Sequence, residues 1–390
     1  MQLVLARALQ GAGGGGLMTL SMLTVASLFP PERRGRFQAL LGASYGIFTM
    51  LGPLLGGWLV EHISWHWAFW INAPLALLAW TVLACTVPPS ARQHAPVDWW
   101  GAAALACALS ALLLATQYGV LKLPAELTLG LLLAIALKAV IAFGWRQARA
   151  AHPLVPPSLF RNRAYAAAAT LGLCSGVAMY AAVVFVPQYL QTMLRFSPTA
   201  SAWYLLPLMA GITTAAIASG KLLRARMPAR RLARWGCALL LLSFLALGAV
   251  LSWHPAAAGL ISACLLPAGL GLGVLFPIIT VVSQRAAPPQ LMGIATATPV
   301  MLRSLGGSVG VALMAALLAD CMNKELAPLT SWAAAAAHRS VPDTVLIHMQ
   351  AAMRDAMAHG LQWVFLCAAS AALLGLLVSR WLRAGVAASA

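Results

Sequence analysis

Residues 1–57 read MQLVLARALQGAGGGGLMTLSMLTVASLFPPERRGRFQALLGASYGIFTMLGPLLGG. Two apolar runs, near 1–29 and 37–60, flank a short PPERRGR loop that holds every charge of the stretch except Arg7. Each run exceeds the roughly 20 apolar residues a helix needs to cross a bilayer. A shift of 258 residues aligns this stretch with a second one without a gap. Gly11, Gly13, Gly15 and Leu17 meet Gly269, Gly271, Gly273 and Leu275. Pro30 and Pro31 meet Pro288 and Pro289, while Gly35, Ala39 and Gly52 meet Gly293, Ala297 and Gly310. A duplicated unit of helix, short loop and helix is how a carrier builds two halves around a central site.

The rest of the chain has the same character. Of its 390 residues, 62% are hydrophobic and 8% charged, against about 25% charged in a soluble domain. Too few polar groups exist to cover a water-facing surface, so the bilayer is the fitting solvent. The net charge of +17 is spread over short clusters between apolar runs, which argues against a nucleic-acid face. The seven cysteines are scattered without a CxxC, so neither a disulfide framework nor a metal or cofactor site is expected.

Spans are predicted near 1–29, 37–60, 67–87, 101–120, 127–145, 164–187, 200–220, 235–253, 257–282, 293–318 and 361–379, about eleven in all. Arg7, Lys138 and Arg303 are the charges inside them. Sorting the loops by side puts 17 basic residues, Arg231 and Arg380 among them, on one face and five on the other. The positive-inside rule makes the richer face cytoplasmic and places the C-terminus there. Trp65, Trp145, Trp203, Trp235, Trp253, Trp363 and Trp381 fall near span ends, as interfacial anchors do. The stretch 319–360 reads as a long external loop, its VLIHMQAAMRDAMAHG portion either lying on the membrane or solvated.

Polar residues and glycines then mark candidate sites. Arg7, Gln10 and Gly11 share a helix face at i, i+3 and i+4. Arg7 either faces an aqueous cavity or a partner or snorkels to a nearby surface. Gly42, Gly46, Pro53, Gly56 and Gly57 lie on one arc of roughly 100°, a smooth face for close helix packing, and Gly52 adjoins it. Arg303, Gly307 and Gly310 form another face, with Arg303 roughly 15 Å deep at 1.5 Å per residue. Tyr180, Gln188, Tyr189 and Gln191 supply either polar contacts in an apolar site or interfacial anchors. No acid lies deep in a span, so a proton relay is expected elsewhere. The absence of a clustered His, Cys or carboxylate set within the spans argues against an enzyme.

These pieces together resemble the major facilitator superfamily, and within it the fourteen-helix drug:proton antiporter branch of EmrB/QacA type. The motifs are ARALQGAGGG at 6–15, GPLLGG at 52–57, WHWAFWINAPLAL at 65–77, VDWWG at 97–101, HPLVPPSLFRNR at 152–163, VPQYLQ at 186–191 and RSLGGSVG at 303–310. The resemblance implies an all-α membrane bundle with the first three of fourteen helices lying upstream of Met1. Residues 1–90 would be the remainder of an N-terminal bundle, 91–160 an inserted helix pair with its loop, and 161–390 a C-terminal six-helix bundle. It implies a multi-pass protein of the inner (plasma) membrane that exports drug-like amphipathic compounds against protons. The alternatives are a carrier of another small solute or an inactive fragment. It assigns Arg7 to proton transfer, and Gly52, Pro53, Gly56 and Gly57 to the antiporter motif that controls coupling and leak. It leaves room for a periplasmic adaptor protein as a further partner.

Overall fold

The computed structural model describes residues 2–28, 37, 44, 48, 51–86, 98–115, 125–150, 153–225, 227–335 and 343–382. Where they are described, the expected spans are helical. In chain order the helices are α1 (Gln2–Leu28), α2 (51–62), α3 (Trp67–Trp70), α4 (Asn72–Thr86), α5 (Trp99–Ala115), α6 (Ala125–Arg149), α7 (Pro157–Phe160), α8 (Arg163–Tyr180), α9 (Val186–Thr192), α10 (Pro198–Trp203), α11 (Leu206–Arg224), α12 (Ala229–Trp253), α13 (Ala258–Arg285), α14 (Met292–Ala335) and α15 (Asp343–Val378). Among the described residues, eight helical runs are long and apolar enough to cross a bilayer, and Trp99–Ala115 is a shorter apolar helix. The molecule is a multi-pass, all-α membrane bundle.

Helix starts follow local chemistry. Asn162 accepts a hydrogen bond from the Ala164 N–H at 3.0 Å and caps α8. Ser197 accepts one from the Ala200 N–H at 3.2 Å and caps α10, whose first residue is Pro198. Both satisfy donors that a helix start leaves unpaired. The span expected at 164–187 runs on to Thr192, but through a π turn at Ala181–Phe185. Pro187 follows it: proline offers no N–H to the carbonyl four residues back and its ring crowds that carbonyl, and here the helix widens rather than breaks.

The external loop expected over 319–360 is largely helical. α14 runs for 44 residues and α15 for 36, about 66 and 54 Å at 1.5 Å per residue, well beyond the roughly 30 Å hydrocarbon core. Their extensions pack as a hairpin. Gly360 lies against Leu318 and Cys321, the His359 Nδ1 is 3.0 Å from Glu325, and Lys324 donates to Asp320 at 2.6 Å. Hydropathy registers only the lipid-facing part of such helices, which is why their polar ends read as loop.

Among the described residues, the principal core lies between Ala167 and Leu382 and joins α8, α9, α11, α12, α13, α14 and α15. By contrast, α4 buries no residue. α5 and α6 pack on each other and are tied at one end by a polar latch. Asp98, with its side chain 2% exposed, accepts from the Gly101 N–H at 3.1 Å and from Arg146 Nε at 3.0 Å. Gln147 donates to the same carboxylate at 3.4 Å and accepts from the Val155 N–H at 2.9 Å. The Gly101 N–H first, then Arg146 and Gln147, hold the Asp98 carboxyl below its ordinary range against the opposing cost of desolvation. A depressed folded pKa contributes stability that is present above the unfolded value and lost as pH falls through the folded one. Asp98→Asn should therefore lower the melting temperature at neutral pH, and the gap to wild type should close on acidification through the carboxylate range. A gap unchanged in acid would show that the charge does not hold the latch.

Candidate functional site

The crossing of α8 and α14 organises the candidate site. Gly172, Gly176, Gly306, Gly307 and Gly310 line the contact. A Cβ on Gly176 would strike the Arg303 carbonyl, and one on Gly306 would strike that of Leu173. Backbone meets backbone here, the mode by which small residues bring membrane helices together. The register of this crossing sets what α14 presents. The Tyr180 ring lies over Gly307, and Val177 lies beside Gly310. Arg303, half-buried, holds its guanidinium carbon 4.5 Å from the ring centroid of Phe276 on α13. A cation over an aromatic face gains about 0.5–2 kcal/mol, more as water is excluded, so Phe276 gives this charge a seat. Nothing in the sequence around Phe276 marked it as the partner.

On the same pair of helices a largely apolar cavity of about 780 Å³ opens between Leu109 of α5, Leu173 and Val177 of α8, and Gly306, Leu313 and Asp320 of α14, the last a carboxylate on its wall. Its size falls within the ~300–1,000 Å³ of small-molecule sites. The other predicted residues stand elsewhere. Arg7 donates to Gln10 at 2.7 Å and lies 4.4 Å from the Phe69 ring centroid; both polar side chains are exposed. Tyr189 is buried and its hydroxyl donates to the Pro255 carbonyl at 2.7 Å, while Gln191 donates to Ser201 at 2.7 Å. Gln188 is exposed. The π turn falls between Tyr180 and Gln188, so the two are not in simple helical register.

The glycines of α1 and α2 differ among themselves. A Cβ on Gly11, Gly52 or Gly56 would meet nothing within 4 Å among the described residues, whereas one on Gly57 would stand 3.1 Å from the backbone of Pro198 and Thr199. Pro53 is half-buried beside them. Gly42 and Gly46 lie outside the described residues. The Gly57 contact joins the early helices to α10.

A family model described as Major Facilitator Superfamily matches residues 1–311. The chain belongs to that superfamily. An uncharacterized MFS-type transporter of Mycobacterium tuberculosis is 35% identical over 390 residues, covering 98% of this chain and 56% of that protein. Multidrug transporter protein MdtP of Bacillus subtilis is 29% identical over 322 residues, covering 81% of this chain and 58% of that protein. Multidrug resistance protein 3 of the same organism is 28% identical over 333 residues, covering 83% and 63%. The chain thus spans little more than half the length of the curated relatives it matches.

For this major facilitator chain the glycine crossing makes a sharp prediction. Gly176→Ala should cost roughly 1–3 kcal/mol, the scale of overpacking, read as a drop in thermal unfolding in detergent. Gly248→Ala, where a Cβ meets nothing within 4 Å among the described residues, should be neutral or stabilising, because alanine is the better helix former.

Proposed function

We propose that this chain is the larger part of a secondary active transporter that exports drug-like amphipathic compounds by proton antiport, cycling by alternating access. The observation that carries the reading is the 780 Å³ apolar cavity on α8 and α14, one helical turn from the seated cation Arg303. An apolar groove with one carboxylate, Asp320, on its wall and a cation, Arg303, one turn beyond Gly306 suits amphipathic molecules of varied shape. The names of the two Bacillus relatives support the substrate class.

In this reading Arg7, Gln10, Gly11, Tyr180, Gln188, Tyr189, Gln191 and Arg303 belong to the proton and substrate pathway. Gly46, Gly52, Pro53, Gly56, Gly57, Gly307 and Gly310 serve the helix faces that slide or lock as the halves rock. Gly57 against Pro198 is the contact best suited to close one mouth of the pathway. The division is 1–90, 91–160 and 161–390, within the fourteen-helix drug:proton antiporter branch, in the inner membrane with the C-terminus cytoplasmic. A periplasmic adaptor stays compatible with that orientation.

The repeat also supports three further helices ahead of α1. On α13, Gly269 and Gly273 close against the Leu208 and Ile212 carbonyls of α11, and Gly271 against Gly236 of α12. Their counterparts Gly11, Gly13 and Gly15 meet nothing within 4 Å among the described residues. By the repeat, the counterparts of α8, α11 and α12 would precede α1.

The test is export of a cationic dye from energised cells. A reading frame extended upstream by three apolar spans should lower dye accumulation and confer tolerance, and residues 1–390 alone should not. Arg303→Gln in the extended frame should cut export several-fold at unchanged membrane abundance. Export that survives collapse of the proton gradient would reject the coupling, and export by the Arg303 variant at the wild-type rate would reject the pathway.

A further inference from the structure

At the end of the bundle where α12 begins and α15 finishes, a cavity of about 690 Å³ opens between Arg230, Arg231, Arg234, Trp235, Ala238 and Leu376. Its charge is unusual for its place. A helix start favours acidic residues, yet α12 has none in its first turn and opens ARRLARW. Arg230 and Arg234, at i and i+4, repel each other on one face, and all three arginines are exposed.

The chain offers these cations no carboxylate nearby in sequence. No Asp or Glu occurs between Glu126 and Asp320, or after Asp355. The ion pairs among the described residues use Asp98, Asp320 and Glu325, and none reaches this cluster. An anion from outside the chain is the natural relief for the repulsion.

The cavity wall shows what kind of anion fits. Trp235, 55% exposed, lies one turn inward of Arg231. Ala238 lies about 12 Å along the axis from Arg230 at 1.5 Å per residue, and Leu376 faces it from α15. Charge thus gives way to indole and then to apolar surface over the distance that separates a phospholipid phosphate from its acyl chains, with the indole at the interfacial level such rings prefer. Arg380, 5.5 Å from the Trp381 ring centroid, adds a cation at the adjacent end of α15. A soluble anion would use the arginines but leave the apolar wall idle.

We propose that this cavity binds one anionic phospholipid, its phosphate held by Arg230, Arg231 and Arg234, and an acyl chain lying along Ala238 and Leu376. Basic pockets between membrane helices recognise such headgroups by charge and shape. The site is separate from the α8–α14 cavity and does not depend on the identity of the exported compound.

The test adds phosphatidylglycerol or phosphatidylcholine at equal concentration to the purified protein, in its full reading frame, and reads retained lipid by native mass spectrometry. Phosphatidylglycerol should be retained in preference, excess inorganic phosphate should leave it bound, and Arg230→Gln/Arg231→Gln/Arg234→Gln should cut its retention by about tenfold or more. Phosphatidylglycerol brominated on its acyl chains should quench wild-type fluorescence more than that of Trp235→Phe. Where the triple variant does not fold, this quenching arm decides alone. Equal retention of the two lipids, full retention by the folded triple variant, displacement by phosphate, or equal quenching in Trp235→Phe would each overturn the proposal.

Discussion

Inside hydrocarbon a helix must satisfy its own backbone, because no water is there to do so. Apolar side chains gain little by leaving lipid for another helix, so association depends on how closely two backbones can approach. The crossings of α8 with α14 and of α11 with α13 meet that requirement in the same way. Glycine removes the Cβ at the point of contact, and a carbonyl of the facing helix occupies the space: Arg303 at Gly176, Ile212 at Gly273. Such contacts are steep. They fix rotation and register together, because sliding either helix by one residue drives a Cβ into a carbonyl. The position of Arg303 over Phe276, of Tyr180 over Gly307 and of the apolar cavity beside them follows from that register.

Much of this was legible in the sequence, for a physical reason. Hydropathy is a bulk property of a span, and it identified the apolar helices but not the helical extensions of α14 and α15. The face of Arg303, Gly307 and Gly310 was legible because helical periodicity is local. What was not legible depends on partners distant in the chain. Asp98 meets Arg146 and Gln147, 48 and 49 residues on, and nothing near VDWWG announces them. The hairpin of α14 and α15 rests on Gly360 against Leu318 and His359 against Glu325, 34 residues apart, so its polar halves read as loop. Pro187 was visible, but a proline can kink, break or widen a helix, and only the packing around Ala181–Phe185 decides for the π turn. Tyr189 shows the same limit: its hydroxyl bond to the Pro255 carbonyl, 66 residues on, could not be read from spacing.

The duplicated glycines carry the argument one step further. Each glycine inside a helix costs up to about 1 kcal/mol relative to alanine, and α1 holds four in succession from Gly13 to Gly16. On α13 the matching positions offset that cost, because Gly269, Gly271 and Gly273 admit α11 and α12 to backbone contact. At Gly11, Gly13 and Gly15 of α1 a Cβ would meet nothing within 4 Å among the described residues. The same reasoning separates Gly57 from Gly52 and Gly56. Gly57 already meets a backbone, that of Pro198 and Thr199, so within one short motif it is the glycine whose side-chain volume would be felt first where the early helices touch the later ones.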